Sequence, residues 1–375
     1  MRVWKNFSWE RTAERLVEIY KELVIMKVAL IAFSVRGAMG QYLEALVKPL
    51  SQQTKVHLFL PDHYVGDISR AILHRFLTGK TKTGALRRLL NPVLARRVWK
   101  ELQAVKPDII HLFNGEGYPW GLLFARWARK DGVPFVVTVH DPEPHSGNVF
   151  ELLNACLRRV TLTCATRIHL HNDCFADSIV KQGVPPKKLY FIPHGSLAER
   201  FTRYFNGGTA REPVALFFGR LEAYKGLDVL VEAGLVLEGR LKVVIAGPGK
   251  LPGRLLKTIR CHSKVFELHN RYLSDEEVAW LFQRASVCVL PYRQVTQSSV
   301  PLIAAAFGVP VVASALGGFL EDVPRVNGLL VPPGDSRALA QGITKAMGLV
   351  PRYPKELEFE KLSRRFVKMY QDSLT

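Results

Sequence analysis

The chain has 375 residues, more than a single hydrophobic core usually organises, so we expect two domains. Its 48% hydrophobic and 23% charged residues are ordinary for a globular protein, and no uncharged apolar run approaches the roughly 18 residues that a membrane span needs. The formal net charge of +19 favours anionic partners such as nucleic acid, acidic lipid or phosphorylated substrates.

The first 25 residues are charged throughout and lack an apolar core, so no secretory signal is expected. Residues 7–23 carry one apolar helical stripe and align with the C-terminal segment, Glu10 with Glu360 and Tyr20 with Tyr370. Two interpretations stay open. Either the natural start is Met26, or a second copy of the C-terminal helix docks on the first domain or on a partner.

Apolar strands alternate with helical stretches along the chain, which favours parallel sheets covered by helices. A charged stretch over residues 199–212 separates two series of strands, which predicts two doubly wound domains facing each other across a cleft. In such sheets, ligands bind beyond the carboxyl ends of the strands. The predicted strands cover residues 27–33, 55–60, 109–113, 135–139, 167–170 and 189–192, then 214–218, 242–245, 265–268, 287–290 and 311–313.

The strand ends of the first domain offer two candidate contacts. Gly37 and Gly40 follow the first strand, where glycines allow a backbone to approach a ligand and a helix start favours an anion. The spacing is not the dinucleotide fingerprint, so a plain tight turn is an equal alternative. His140 ends the strand at 135–139 and is either a ligand contact or a structural hydrogen-bond donor.

Basic residues crowd the segment from 68 to 103, which holds nine cations and one anion interleaved with apolar side chains. Such a segment is typical of a surface that meets an anionic membrane, and the alternative is a solvated charged face. The nine cations are Arg70, Arg75, Lys80, Lys82, Arg87, Arg88, Arg96, Arg97 and Lys100.

The second domain gathers groups that suit a phosphorylated ligand. Arg220 follows the strand at 214–218, Lys225 comes five residues later, Gly247 follows the next strand, and residues 296–299 are polar just before a helix over 300–307. There is no P-loop motif and no acidic cluster spaced for magnesium, so a pyrophosphate neutralised by arginine and lysine fits better than ATP hydrolysis. The alternative is a pair of solvated loop cations, one of them paired with Glu222.

Several segments from Met26 onward together resemble the retaining family 4 glycosyltransferases of GT-B fold. They are residues 183–185, 192–195, 217–222 with 225–228, 271–277, 308–314, 317–318 and 328–335. One feature departs from the family. The usual Glu-x7-Glu pair falls near Val295 and Ile303, and the stretch instead looks like a Thr-Gln-Ser-Gly variant with Ser299 in place of the glycine. Thr296 and Gln297 are then the expected sugar contacts.

The resemblance implies a GT-B fold, with an extension at 1–25, an acceptor-binding Rossmann-like domain at 26–200, a domain at 201–355 that binds the nucleoside-diphosphate sugar, and a C-terminal helix at 356–375 returning to the first domain. It implies sugar transfer with retained configuration, without a metal or cofactor. Arg220 and Lys225 would grip the diphosphate, and His140 would lie near the sugar. The implied donor-binding residues are Gly40, Gly247, Tyr272, Leu273, Thr296, Gln297, Ser298 and Ser299.

Many relatives of this family act on lipid-linked acceptors, so the resemblance implies a sugar or lipid-linked acceptor at the inner face of a membrane, in the cytoplasm. The five cysteines, odd in number and without a C-x-x-C pair, fit reduced thiols there. A noncatalytic subunit that only binds a nucleotide sugar is the alternative. A nucleic-acid-binding protein has less support, since no RNP, KH or zinc pattern occurs.

Overall fold

The computed structural model describes residues 25–374, except residues 36, 67, 69, 79–83, 85–87, 143–148, 206 and 208–209 and the side chains of residues 149–152. The predictions for the N-terminal extension and for Lys80, Lys82 and Arg87 therefore lie outside the described residues.

The first half of the chain forms a seven-stranded parallel sheet in the order β3-β2-β1-β4-β5-β6-β7. Each strand is short and mostly apolar, as expected of strands covered on both faces. The strands are β1 (Lys27–Ala32), β2 (Lys55–Pro61), β3 (Ile72–Phe76), β4 (Ile109–Asn114), β5 (Phe135–Val139), β6 (Arg167–Leu170) and β7 (Leu189–Phe191).

The second half forms a six-stranded parallel sheet in the order β10-β9-β8-β11-β12-β13. Its strand order reverses beside β8, which is where doubly wound sheets open a crevice at their carboxyl ends. The strands are β8 (Val214–Phe218), β9 (Lys242–Ala246), β10 (Phe266–His269), β11 (Val287–Leu290), β12 (Val311–Ser314) and β13 (Leu329–Val331).

Helices connect the strands and cover both sheets, so the predicted class of two Rossmann-like doubly wound domains is confirmed. They are α1 (Ala38–Leu50), α2 (Pro92–Val105), α3 (Pro119–Asp131), α4 (Val149–Cys164), α5 (Ala176–Lys181), α6 (Glu199–Thr202), α7 (Leu227–Val236), α8 (Gly253–Cys261), α9 (Asp275–Arg284), α10 (Val300–Ala306), α11 (Phe319–Arg325), α12 (Ser336–Ala346) and α13 (Phe359–Leu374).

Two strands were missed in the sequence. β3 lies inside the basic segment, and its exposed Ile72 and Arg75 hide the apolar pattern of an edge strand. β13 has only three residues, too few for a periodic signal. The described residues of the basic segment therefore include strand β3 and, further along the chain, helix α2.

The C-terminal helix α13 packs on α1 and reaches the first sheet through a buried chain of hydrogen bonds. The Tyr370 hydroxyl donates to His111 Nδ1 (2.7 Å), and His111 Nε2–H donates to Thr138 Oγ1 (2.7 Å). The Thr138 hydroxyl donates to His169 Nδ1 (2.9 Å), and His169 Nε2–H donates to the Ile192 carbonyl (2.9 Å). Burial lowers the pKa of both histidines and keeps them neutral. Because the carbonyl only accepts, the hydrogen of His169 must lie on Nε2, and this fixes the direction of the chain.

The domains are also joined where the chain crosses between them. The Arg200 guanidinium in α6 binds Asp275 at the start of α9 (2.8 Å) and lies 3.9 Å from Glu44 in α1. The Ser196 amide donates to the Leu357 carbonyl (2.8 Å), which ties the two crossing segments together. These contacts hold the carboxyl ends of the two sheets face to face.

Candidate functional site

Lys225 lies in a 3-10 turn, Ala223–Lys225, between β8 and α7. Its ammonium is 3.6 Å from the centre of the Tyr292 ring and 4.9 Å from that of Tyr224. No carboxylate is within ion-pairing distance of it among the described residues. Burial, followed by the nearby charge of Arg220, lowers the pKa of the ammonium to about 7. Lys225 is thus a largely desolvated cation without a counter-ion from the described part of the chain.

Arg220 directly follows Gly219 at the end of β8 and is 64% exposed. Its guanidinium lies 2.7 Å from the Glu222 carboxylate and 3.3 Å from the Tyr224 hydroxyl. The ion pair with Glu222 is the alternative that the sequence left open, and it is present here. Exposed pairs of this kind are worth little, about 0–1 kcal/mol, so an incoming phosphate can compete for the guanidinium.

Glycines let the strand-end loops pack directly on one another. Gly226 has φ 65°, and a Cβ there would lie 1.9 Å from the Pro291 carbonyl oxygen. Gly247 has φ 139°, and a Cβ would lie 2.0 Å from the Gly219 carbonyl oxygen. Only glycine fits either position. The turns that carry Arg220 and Lys225 are therefore fixed against the ends of β9 and β11.

The loop before α10 holds the predicted polar residues. Gln297 Oε1 is buried and has no hydrogen-bond partner among the described residues. Ser298 Oγ accepts from the amide of Val300 (3.4 Å), so one hydroxyl does cap the helix. Ser299 directly precedes the helix and makes no side-chain cap, while Thr296 is half-buried and its carbonyl faces Gly318.

The positions where family members carry glutamates hold apolar side chains that pack into the core. Ile303 is 2% exposed, and Val295 packs against the same cluster. Neither position supplies a carboxylate to the cleft. Contacts to a donor sugar must therefore come either from residues 296–299 of this loop or from residues at another strand end.

Tyr272 and Leu273 lie in the loop after β10. β10 ends at His269, and residues 271–273 are irregular because Arg271 and Ser274 organise the start of the next helix. Arg271 donates to Glu277 (2.9 Å), and Ser274 and Glu277 form a reciprocal capping box. Tyr272 is 82% exposed, so its ring is available to a planar ligand.

A cavity of about 1000 Å³ opens at the carboxyl ends of β1, β4 and β5 in the first domain. Apolar, polar and charged side chains share its wall, as expected of a site for a hydroxyl-rich ligand. Its lining includes Met39, Asn114, Glu116, Tyr118, His140, Arg158 and Lys181.

His140 lines this cavity, but both of its ring nitrogens already have partners. Nε2–H donates to the Phe113 carbonyl (3.0 Å), and Nδ1 accepts from His171 Nε2–H (3.1 Å). Burial lowers the pKa of His140 to about 4, so the ring is neutral at pH 7. His140 therefore makes the structural hydrogen bonds that the sequence left open as an alternative. In this arrangement neither of its ring nitrogens is free for a ligand.

Gly40 lies in the first turn of α1 and is buried. A Cβ there would lie 2.5 Å from the Val35 carbonyl oxygen, so the chain's own loop accounts for the glycine. The neighbouring Gly37 has φ 59° and forms the turn into the helix.

The two domains touch where β6 and β12 end. The Cys174 amide donates to Glu321 (3.3 Å) across the cleft. Asn172 is 1% exposed, and neither atom of its amide has a hydrogen-bond partner among the described residues. Burial raises the pKa of the adjacent Asp322 to about 7. This contact was not predicted, because it joins residues about 150 positions apart in sequence.

Three residues at these candidate sites were not predicted from the sequence: Tyr292, Glu116 and Arg158. Tyr292 lies two residues beyond the end of β11, and its position near a strand end was the one available signal. Among the described residues, no group of three or more His, Cys, Asp and Glu side chains is arranged to hold a metal ion. No helix in the described part of the chain is long and apolar enough to cross a membrane.

Comparison with known families gives two matches, one for each domain. Residues 37–195 match the glycosyl transferase 4-like domain, and residues 212–348 match the glycosyl transferases group 1. Two doubly wound parallel sheets of these strand orders are the architecture of the GT-B fold. With both family matches, the chain is identified as a GT-B glycosyltransferase of the family 4 type.

Individual proteins agree with this class. The chain is 25% identical over 269 residues to the putative teichuronic acid biosynthesis glycosyltransferase TuaC of Bacillus subtilis, covering 69% of this chain and 65% of TuaC. It is 30% identical over 135 residues to O-antigen chain mannosyltransferase C of Escherichia coli, covering 35% of this chain and 36% of that protein. These matches span less than two thirds of each relative.

Among solved structures, the fold is similar to that of Anabaena HepE, which was solved in complex with UDP. The TM-score is 0.67, at 19% identity, over 92% of this chain and 98% of HepE. At this identity the likeness establishes the fold alone.

Proposed function

We propose that the protein is a retaining glycosyltransferase that moves a sugar from a nucleoside-diphosphate donor to a lipid-linked or polysaccharide intermediate. The observation that carries the proposal is the Lys225 ammonium, desolvated and without a carboxylate partner among the described residues, beside Arg220 at the end of β8. A diphosphate is the ligand that would neutralise both cations.

The chemistry asks for charge stabilisation more than for an acid or a base. As the bond between the anomeric carbon and the diphosphate oxygen breaks, negative charge grows on the leaving group. A bond to the acceptor hydroxyl oxygen forms on the same face of the sugar, and the acceptor's proton passes to the leaving phosphate oxygen. Arg220 and Lys225 stabilise the growing charge, which is usually the largest single contribution of such sites.

The other predicted residues take supporting roles in this proposal. Tyr272 and Leu273 contact the nucleobase, and Gly247 lets the backbone approach the donor. The loop at 296–299 binds the diphosphate and the sugar. Gln297 Oε1, which has no partner among the described residues, accepts a hydrogen bond from a sugar hydroxyl. The cavity that His140 lines holds the acceptor. Gly40, which lets the Val35 loop pack against the first turn of α1, places that loop toward the diphosphate.

A panel of donors tests the proposal. UDP- and GDP-sugars are incubated with purified protein and a membrane extract as acceptor, and release of UDP or GDP is measured. UDP-sugars come first because HepE binds UDP. Acceptor-dependent release, with the anomeric configuration of the product kept, supports the proposal. Release from none of the donors, or an inverted product, contradicts it.

A noncatalytic subunit that binds a nucleotide sugar is the second candidate, favoured by the apolar residues Val295 and Ile303 at the family's glutamate positions. The same panel separates the two. Tight donor binding without turnover, with every acceptor fraction supplied, favours the subunit.

We propose that the reaction needs no metal, because Arg220 and Lys225 provide the positive charge that a metal would otherwise bring to the diphosphate. Turnover in EDTA should equal turnover in buffer. Loss of turnover in EDTA that manganese or magnesium restores contradicts this assignment.

Membrane attachment is proposed from one edge of the first domain. Phe76 and the Asn91 carbonyl both contact Trp120, which brings the exposed Leu77 and Leu90 to the same edge. Exposed Val93 extends this apolar strip along α2. The exposed cations Arg96, Arg97 and Lys100 lie on the same helix. Each basic residue near an anionic lipid surface contributes about 1 kcal/mol, screened by salt.

Liposome sedimentation tests the attachment. We expect binding to vesicles that contain anionic lipid and weaker binding at high salt. Changing Arg97 and Lys100 together to glutamate should weaken it, while changing exposed Arg337 and Lys345 on α12 should not. Equal binding to neutral and anionic vesicles contradicts the proposal.

A further inference from the structure

Tyr292 is fully buried directly beneath the proposed diphosphate site. Its ring centre lies 3.6 Å from the Lys225 ammonium, a distance typical of a strong cation–π contact. The second ring beside the ammonium, that of Tyr224, is farther away at 4.9 Å. Tyr292 and the more distant charge of Glu222 thus both favour the charged form of this lysine.

The opposite end of Tyr292 reaches another part of the same site. Burial raises the pKa of its hydroxyl, and nearby Ser298, in the loop before α10, partly offsets that shift. A Cβ built on Gly219 would lie 3.7 Å from the same hydroxyl oxygen. One buried side chain therefore contacts the lysine turn and lies close to both the end of β8 and the α10 loop.

An aromatic ring and a carboxylate differ in whether they neutralise the charge of the lysine beside them. The ring attracts the ammonium through its quadrupole but carries no net charge, so it does not neutralise the lysine. A carboxylate would have to be displaced before a phosphate could bind, as Glu222 must be displaced from Arg220. The ring instead holds Lys225 in place and leaves its charge for the ligand.

We propose that Tyr292 is a positioning residue for the donor diphosphate: its ring holds the Lys225 ammonium and its hydroxyl holds the Ser298 loop, so that one side chain aligns both phosphate-binding segments. This role rests on the proposed function, in which Lys225 contacts the diphosphate of the donor.

Two substitutions separate the ring from the hydroxyl. Tyr292→Leu removes both while keeping an apolar side chain in the core, and Tyr292→Phe keeps the ring alone. The control is Tyr353→Phe, which removes a hydroxyl bonded to Ser196 (3.0 Å) at the domain crossing, outside the proposed site. The measurements are UDP and GDP affinity by calorimetry, kcat and donor KM, and the fraction folded by circular dichroism.

We expect Tyr292→Leu to weaken binding of the preferred nucleotide about tenfold or more, by the size of desolvated cation–π contacts. Tyr292→Phe should retain kcat within about twofold and raise donor KM by about three- to tenfold, because only the hydrogen bond to Ser298 is lost. Tyr353→Phe should match the wild type. If the leucine variant does not fold, the split between kcat and KM in Tyr292→Phe still decides the hydroxyl's role.

The pH dependence of binding distinguishes positioning from a merely structural role. Tyr292→Leu keeps Lys225 buried without the ring's attraction, so the midpoint at which affinity falls should move to lower pH, whereas Tyr292→Phe should keep it. Lys225→Arg, which does not titrate near neutrality, corrects for the ionisation of the nucleotide itself.

Three results overturn the role, and they differ in meaning. Wild-type affinity and midpoint in folded Tyr292→Leu would refute positioning while leaving the proposed function intact. A lower kcat with an unchanged donor KM in Tyr292→Phe would refute the link to Ser298. Failure of the wild type to bind either UDP or GDP overturns the proposed function, and the role of Tyr292 with it.

Discussion

Two polar clusters lie near the carboxyl ends of strands, one in each domain, and they differ in where their hydrogen bonds go. In the first domain, the chain from Tyr370 through His111 and His169 ends on the Ile192 carbonyl, so every donor has an acceptor within the protein. In the second domain, Lys225 faces aromatic rings and Gln297 Oε1 has no partner among the described residues.

The difference indicates which cluster serves the fold and which serves a ligand. Buried polar groups that pair with one another stabilise a single arrangement of the chain, whereas buried groups left unpaired are destabilising unless something binds them. Changes in the histidine cluster should therefore alter stability, and changes in the cation cluster should alter activity.

Acid should destabilise the protein through the buried histidines. Burial lowers the pKa of His169 to about 3 and those of His140 and His194 to about 4, while the unfolded chain titrates near 6.5. Between pH 6.5 and 4.5 the unfolded state thus binds more protons, and the free energy of unfolding falls as pH falls. Over this window each histidine should contribute roughly 2 kcal/mol, measured by urea unfolding at both pH values.

Asp322 has the opposite effect on the way the free energy of unfolding changes with pH, so it provides the control. Burial raises its pKa to about 7, so the native state gains protons there over the same pH window. The loss of stability on acidification should be larger in Asp322→Asn than in the wild type. Stability that stays constant between pH 6.5 and 4.5 in Asp322→Asn would show that the histidines are not held neutral by burial.

A single member of the histidine chain should matter almost as much. His169→Leu leaves the Thr138 hydroxyl without its acceptor and removes one donor from the Ile192 carbonyl. We expect a loss of about 2–4 kcal/mol in the free energy of unfolding, with kcat of the folded protein nearly unchanged. The half-buried His262, whose ring bonds the Thr258 carbonyl (3.0 Å), is the matched control, and leucine there should change stability far less. Equal losses in both variants would contradict the buried chain's special role.

The cation cluster should respond in the reverse way. Alanine at Arg220 or Lys225 should reduce turnover about a hundredfold or more, the usual effect of removing one electrostatic stabiliser of a transition state. Because Arg220 is exposed, the free energy of unfolding of Arg220→Ala should lie within about 0.5 kcal/mol of the wild-type value. Arg220→Lys should recover only part of the turnover, because a point charge cannot reproduce a two-pronged grip. Near-normal turnover in both alanine variants would move the diphosphate site elsewhere.

The fold could largely be predicted from the sequence, because buried parallel strands are continuous apolar runs. Predicted and observed strands agree within one or two residues, except for β3 and β13. The position of Arg220 and Lys225 beyond the carboxyl end of β8 could also be predicted, because the direction of the chain places residues after this strand at the cleft. Their role in binding a donor stays a prediction.

The partners of the site residues could not be predicted. His140 is engaged by Phe113 and His171, which lie 27 and 31 positions away, and no local pattern announces either contact. Tyr292 looks like an ordinary core aromatic in the sequence, and only the 3.6 Å distance to Lys225 assigns it to the site. Local periodicity predicts elements, whereas these contacts depend on how separate strand ends meet.

The smallest predicted effect concerns pH and donor affinity. In the free protein the pKa of Lys225 is about 7, lowered mainly by burial. A bound diphosphate favours the ammonium and raises that pKa, so binding takes up a proton when the pH exceeds 7. Affinity should then be constant below pH 7 and decline above it by up to about tenfold per pH unit, equivalent to about 1.4 kcal/mol.

A nucleoside-diphosphate sugar is the right ligand for this measurement, because its phosphodiester groups do not titrate near neutrality whereas the terminal phosphate of a free nucleotide does. Calorimetry in two buffers of different ionisation enthalpy gives the proton uptake directly at pH 8. Uptake approaching one proton in the wild type and close to zero in Lys225→Arg would identify Lys225 as the titrating group. If Lys225→Arg keeps the wild-type uptake, another group titrates. If the wild type takes up no proton at pH 8 and its affinity does not change with pH, the ammonium is already fully charged before the donor arrives. The contrast with the neutral histidine chain would then rest on missing partners alone and not on a difference in protonation.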